Sequence, residues 1–258
     1  MNLNHNAKLI PPGELIVANK IGRHGYPEEA QKEFVEYGKN QMLDWIRRDY
    51  ISPSSNVLDV GCGLGRVAQL LPSFLKDGSY TGIDITKSSI DWCAKTYSKF
   101  NNFRFIHADL GNSHYNRPDA TSASQYSFPI DSETIDFIWS TSLFTHMRIH
   151  EIDNYLGEMT RVAKSGAIIW NTYFILDTVS EPLARKGLPN GGSLNFPIEG
   201  GLYMTEDNPD HFIAYDIDRL RDLHDKHGLQ IAHVGYGGWS GRPGVKGIGQ
   251  DVILAKKN

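Results

Sequence analysis

Five short apolar runs alternate with amphipathic stretches through the middle of the chain, and this alternation constrains the fold more than any other feature. The runs are NVLDV at 56–60, SYTGIDI at 79–85, FRFIH at 103–107, IDFIWST at 135–141 and AIIWNTYF at 167–174. Each is brief and mostly apolar, as a strand covered on both sheet faces should be. Helical spacing fills the intervals near 64–76, 87–99 and 150–164, the last with Ile152, Tyr155, Leu156, Met159 and Val162 on one face and Gly166 as its C-terminal cap. Strands joined by helical crossovers predict a parallel α/β sheet.

Outside the alternation, 28–48 reads as a helix, and the segment after 214 reads as another, capped by Gly228. LQIAHVGYGG and QDVILAKK then form two strands joined by a glycine-rich loop, a hairpin. Two stretches, 108–131 and 175–213, fit no part of the pattern, and loops of that length are usually functional or mobile. A chain of 258 residues with 40% hydrophobic content can bury one large core, so a single domain is expected. Its parts are an N-terminal lid and helix at 1–48, a cofactor-binding core at 49–174, an acceptor-side insertion at 175–213, and a C-terminal helix and hairpin at 214–258.

Charge narrows the partners. With a net charge of −4 from interspersed acids and bases, the chain has no basic stripe to attract nucleic acid or an anionic membrane. No apolar run approaches a spanning helix, and the start lacks the apolar centre of a signal peptide, so a cytoplasmic location is expected. Cys62 and Cys93 are expected as free thiols, since a disulfide at Cys62 would constrain the turn it occupies.

That turn is VLDVGCGLGR, with Gly61, Gly63 and Gly65 between the first strand and the following apolar run, and Arg66 next. Glycines there let backbone amides approach a ligand at the sheet end where open α/β folds bind. The dinucleotide spacing G-x-G-x-x-G is not met, and Asp59 stands two positions before the first glycine, where a carboxylate repels phosphate and suits an ammonium group. Asp84, about 20 residues on, is placed to accept hydrogen bonds from both hydroxyls of a ribose. Asp109, after the third strand, could accept one from an exocyclic amino group such as that of adenine. Each acid also has an ordinary role open to it: a turn cap for Asp59, a helix N-cap for Asp84, an Asx-turn for Asp109. Together they describe an adenosine carrying an ammonium, that is, S-adenosylmethionine.

The ordered segments VLDVGCGLG, YTGIDIT, FIHADL, FPIDSETIDFIWSTSLFTHM and YLGEMTRVAKSGA resemble the class I S-adenosylmethionine-dependent methyltransferases over about residues 56–174. KSGA stands where KPGG is commoner. The resemblance implies a Rossmann-like, seven-stranded, mostly parallel sheet with an antiparallel last strand. It also implies that Asp59, Gly61, Cys62, Gly63, Gly65 and Arg66 hold the methionine portion, Asp84 and Ile85 the ribose, and Asp109 and Leu110 the adenine, with Ser140 and Thr141 completing the cofactor site. Cys62 contributes backbone and packing. A remote alternative is a non-catalytic or NAD-linked protein of the same fold, against which Asp59 and the glycine spacing weigh.

For the acceptor, SLFTHM after the fourth strand presents His146, a group suited to taking a proton from a hydroxyl at neutral pH. Its alternative is a histidine that caps or packs at the start of the next helix. The same segment resembles methyltransferases of sugars and glycosylated metabolites, which makes O-methylation of such a hydroxyl the leading expectation and N- or C-methylation of another small natural product the alternative. Asp177 is a reserve base, Tyr173 points to the same rim, and Trp239 and Arg242 in the glycine-rich hairpin loop are acceptor contacts, unless Trp239 packs beneath its loop. His107, inside the third strand, is expected to be structural. Asp210 and His211 show no spacing typical of a metal site, and no metal is expected.

Overall fold

The structure, a computed structural model, describes residues 7–19, 21, 25–111 and 122–258. Parts of the expected lid and helix at 1–48 (1–6, 20 and 22–24) and of the long loop at 108–131 (112–121) lie outside the described residues. Its main sheet has seven strands: β1 (Val57–Val60), β2 (Tyr80–Asp84), β3 (Phe103–His107), β4 (Ile135–Ser140), β5 (Ala163–Tyr173), β10 (Leu229–Gly235) and β11 (Asp251–Lys257). Their order is β10-β11-β5-β4-β1-β2-β3. β1 runs parallel to β2 and β2 to β3, whereas β11 is antiparallel to both β5 and β10. This is the expected class I methyltransferase fold, hairpin included.

Backbone contacts divide the chain into two compact units, residues 1–108 with 135–137, and residues 109–134 with 138–258. In the first unit, α2 (Pro27–Arg47) buries Ala30, Phe34, Gly38, Met42 and Trp45 at three- and four-residue spacing. Trp45 meets Phe137 edge-on at 4.9 Å. Gly38 is required by close approach, because a Cβ there would stand 2.0 Å from the Arg66 carbonyl. The short α1 (Gly13–Ala18) packs Ile16 with Ala30, Phe34 and Leu64, and α4 (Lys87–Thr96) follows β2.

The helix expected at 64–76 does not form. Gly61, Gly63 and Gly65 hold positive φ (80°, 51° and 73°), so the chain is still turning at residue 65. Pro72 then lies in the first turn of α3, which runs only from Leu71 to Phe74 after a 3-10 turn at Ala68–Leu70. The apolar spacing there reflects burial of an irregular segment, with Leu64, Val67, Ala68, Leu70 and Leu71 all inside.

In the second unit, α5 (Ile149–Val162) buries the five residues expected on its inner face, and Ile149 with them. Gly166 is not its cap: the helix ends at Val162, Ala163 turns straight to extended backbone, and Gly166 lies within β5 at φ 79°. The stretch 175–213 is not a loop either. It forms a second sheet of β6 (Ile175–Leu176), β7 (Phe196–Ile198), β8 (Gly201–Tyr203) and β9 (Ile213–Asp216), in the order β6-β9-β8-β7, with α6 (Ser180–Lys186) between the first two. Its core is Phe174, Leu176, Ala184, Leu188, Leu194, Leu202, Ala214 and Trp239. Strands of two to four residues are too short to show a period. Because β9 takes residues through Asp216, α7 (Ile217–Lys226) begins later than expected, with the Asp216 side chain accepting from the Asp218 amide, and Gly228 follows it at φ 68°.

Candidate functional site

In the first unit the glycine turn is held by its neighbouring strand. The amides of Gly61 and Cys62 both donate to the Ile83 carbonyl, at 2.8 and 3.0 Å. The Gly63 amide donates to Asp84 Oδ2 at 2.8 Å, and the Thr86 amide to Asp84 Oδ1 at 2.7 Å. Asp84 thus ties the turn to the start of α4 and keeps lone pairs for further donors, since each carboxylate oxygen has two. Desolvation raises its pKa, against those two amides.

Asp59, on β1 opposite Gly82, is 4% exposed and accepts from the Tyr80 hydroxyl at 3.0 Å. Burial pushes its carboxyl up to about 7, with the Tyr80 hydrogen bond and the Arg66 charge pulling the other way. A buried acid poised there gains ionisation if a cationic group is placed beside it, which is the electrostatic condition for holding an ammonium. Arg66 lies over the Tyr37 ring at 3.8 Å. Cys62 and Cys93 are buried free thiols, both directed at the Gly63 carbonyl (3.8 and 3.7 Å), and desolvation raises both pKa values, so neither is an activated nucleophile. His107 bonds to the Ile85 carbonyl at 3.1 Å, a structural contact. The N-terminal segment reaches this turn: Ile21 Cδ1 would lie 3.3 Å from a Cβ on Gly63, and the Ser89 hydroxyl donates to Asn19 at 3.0 Å.

In the second unit Asp109 is exposed and Leu110 is buried. Ser140 is fully buried and donates to Asn171 at 2.8 Å, while Thr141 beside it is half-buried. Ser142 takes φ 57°; its amide donates to Thr172 at 2.7 Å and its hydroxyl to Gln250 at 3.2 Å. The 3-10 turn Phe144–His146 follows. His146 Nδ1 sits 2.9 Å from the main-chain carbonyl of Asp210. A carbonyl only accepts, so Nδ1 carries the hydrogen toward Asp210, and the His211 backbone also acts on the ring. Burial lowers the His146 pKa below its ordinary value, against the Asp210 carbonyl, which raises it. Desolvation thus favours the neutral ring.

Four expected acceptor-side residues are turned inward. Asp177 caps its own turn, accepting from the amides of Val179 and Ser180 at 2.9 and 2.8 Å, and pairs with Arg242 at 2.6 Å. Burial pushes that carboxyl up, but the Ser180 amide, the Arg242 pair and the Val179 amide outweigh it and leave the pKa below the ordinary range. So stabilised an anion is a weak base, and Asp177 stands here as the ion-pair partner of Arg242. Trp239 is 4% exposed, packs near Phe174 and Phe212, and donates its indole N–H to Asp251 at 2.6 Å. It is the packed alternative. Tyr173 is 1% exposed, beside Phe144. Arg148 and Asp210 pair at 2.7 Å although 62 residues separate them and no motif links them. Among the described residues no three His, Cys, Asp or Glu side chains group as metal ligands would, and no helix is long and apolar enough to cross a membrane.

Residues 57–166 match a family profile described as "Methyltransferase domain". An O-methyltransferase of Pyrenophora dematioidea is 26% identical over 156 residues, covering 59% of this chain and 53% of that protein. A 2-methyl-6-phytyl-1,4-hydroquinone methyltransferase of Synechocystis is 28% identical over 160 residues, covering 58% and 44%. The chain thus spans about half the length of these curated relatives. Among solved structures, a SAM-dependent methyltransferase of Methanosarcina mazei superposes with a TM-score of 0.56 at 23% identity, over 82% of this chain and 96% of that one. Residues 57–166 thus match a methyltransferase-domain profile, and the chain shares the fold of a solved SAM-dependent methyltransferase.

Proposed function

We propose that the protein is an S-adenosylmethionine-dependent O-methyltransferase whose acceptor is a hydroxyl of a sugar, glycan precursor or glycosylated metabolite. When bound, the cofactor supplies an electrophilic methyl group on a sulfonium. The chain's own residues do the rest. Asp59, with the turn carrying Gly61, Gly63, Gly65 and Arg66, holds the ammonium end, and Asp84 with Ile85 takes the ribose hydroxyls. Asp109 and Leu110 flank the adenine, with Ser140 and Thr141 nearby in sequence to the acceptor residues. The inserted segment 175–213 walls the acceptor side.

A single observation carries the hydroxyl assignment: a half-buried His146 whose Nδ1 is hydrogen-bonded to a carbonyl and whose pKa is lowered by desolvation. An alcohol is a poor nucleophile until its proton is removed, and His146 Nε2 takes that proton as the oxygen lone pair is committed to the new bond. A second reading is a carbon or nitrogen acceptor on another small natural product, for which a base matters less. Calorimetry with S-adenosylmethionine, its demethylated product and NAD, followed by turnover on nucleotide sugars, glycans and phenolics, tests both levels. Micromolar binding of the first two without NAD, and methyl transfer to a sugar hydroxyl, are expected. NAD binding without S-adenosylmethionine binding overturns the enzyme assignment, and turnover on phenolics or amines alone overturns the sugar assignment.

A further inference from the structure

His146 is held from a distance. The chain around it is fastened at three successive residues to the second sheet and its 3-10 turn Pro209–His211. His146 Nδ1 meets the Asp210 carbonyl at 2.9 Å, the Met147 carbonyl accepts from the buried Tyr215 hydroxyl on β9 at 2.9 Å, and Arg148 Nε donates to Asp210 Oδ1 at 2.7 Å. Arg148 is itself constrained: its amide donates to Glu151 at 2.8 Å, closing the first turn of α5, and its guanidinium lies 5.9 Å from the centre of the Tyr203 ring on β8. Its pair with Asp210 is largely removed from water, the side chains being 29% and 15% exposed. One residue therefore grips the same short turn twice, with its main chain on the imidazole and its carboxylate on Arg148.

We propose that Asp210 is a positioning residue for His146, and that the Arg148–Asp210 pair locks the imidazole as the Nδ1–H tautomer with Nε2 as its proton-accepting nitrogen. This rests on His146 serving as the base. A neutral histidine has two tautomers, and only one leaves a given nitrogen able to take a proton. In hydrolase triads a carboxylate makes that selection and also stabilises the imidazolium. A peptide carbonyl makes the same selection without a full negative charge, while the charge of the Asp210 side chain is taken up by Arg148. The ring is thus oriented and stays neutral. The insertion supplies this partner, which assigns the second sheet a part in the chemistry as well as in enclosing the acceptor.

The test combines a spectroscopic readout with kinetics on the full chain. Long-range proton–nitrogen correlation spectra, with the His146 signals identified by their loss in His146→Gln, report which ring nitrogen carries hydrogen. Wild type is expected to show His146 as the Nδ1–H form. Asp210→Ala, which keeps the main-chain carbonyl but frees the turn, and Arg148→Met are each expected to mix the tautomers and lower kcat about 10- to 100-fold. Affinity for the demethylated cofactor should be unchanged, and the double variant should lose no more than either single. Arg148→Lys should recover part of kcat. An Nδ1-unprotonated ring in wild type, which needs no variant to fold, overturns the proposal, as do unaltered tautomer and kcat in both single variants. If the spectra are as expected but His146→Gln turns over at the wild-type rate, the base assignment is what fails.

Discussion

Asp59 and Asp84 near the glycine turn, and His146 in the second unit, are all polar groups shifted toward their neutral forms by burial, the two acids upward and the histidine downward. They differ in who compensates them. The Asp84 carboxylate is served by amides of adjoining elements, Gly63 and Thr86, each within about one β-α step in sequence. His146 is served by a carbonyl 64 residues away, on a turn of the inserted sheet. The proposed cofactor residues are therefore held by local geometry, whereas the proposed acceptor-side base is held by the inserted sheet.

The sharpest way to break this comparison is His146→Ala. It should lower kcat on a hydroxyl acceptor by roughly 10² to 10⁴-fold while leaving calorimetric affinity for the demethylated cofactor unchanged. An equal loss of cofactor affinity would mean the two regions are not separable.

Next in size is Trp239→Ala, which empties part of the core of the second sheet and removes a donor from buried Asp251. Denaturant unfolding should register a loss of about 3 to 5 kcal/mol. A loss under about 1 kcal/mol would return Trp239 to the surface as an acceptor contact. Asp84→Ala should weaken binding of the demethylated cofactor by about 1.5 to 3 kcal/mol, the cost of losing hydrogen bonds to a charged group. An unchanged dissociation constant would remove Asp84 from the ribose site.

The smallest expected effect separates the regions by sign. Asp59 has a carboxyl raised to about 7, so below that pH it is protonated and less able to hold an ammonium. Affinity for the demethylated cofactor should therefore weaken about tenfold between pH 8 and pH 6, one pKa unit being a factor of ten, and Asp59→Asn should abolish the trend. Stability linked to Asp59 runs the same way in protons: the folded state binds a proton that the unfolded state has lost, so this contribution falls as pH rises from about 4 to 7. His146 has the opposite linkage. Its pKa is lowered on folding, so stability falls as pH drops through 6.5, where the unfolded chain takes up a proton first. Urea midpoints of Asp59→Asn and His146→Gln against pH should depart from wild type at opposite ends, and parallel curves would dissolve the contrast.

Much of the first unit was legible because its signals are local. The apolar runs at 56–60, 79–85 and 103–107 became β1, β2 and β3, and the acid two residues before Gly61 lies buried on β1 as a charge-selective group must. The segment after the glycines misled because apolar spacing reports which residues are buried, not whether the backbone between them is helical, and the chain is still turning at Gly65.

By itself, then, the sequence determined the alternating α/β order, the glycine turn, the positions of Asp59, Asp84 and Asp109, and the antiparallel hairpin at the end. These follow from strand and helix periods and from residues one loop apart. Only the tertiary structure decided that 175–213 folds into its own sheet, that Asp177 spends its charge on Arg242 65 residues away, that Trp239 faces Asp251 rather than solvent, and that Asp210 reaches His146. A periodic pattern states which side of an element is apolar. It carries no record of which distant donor or acceptor will satisfy a buried polar atom, as Asp177 with Arg242, Trp239 with Asp251 and His146 with Asp210 show.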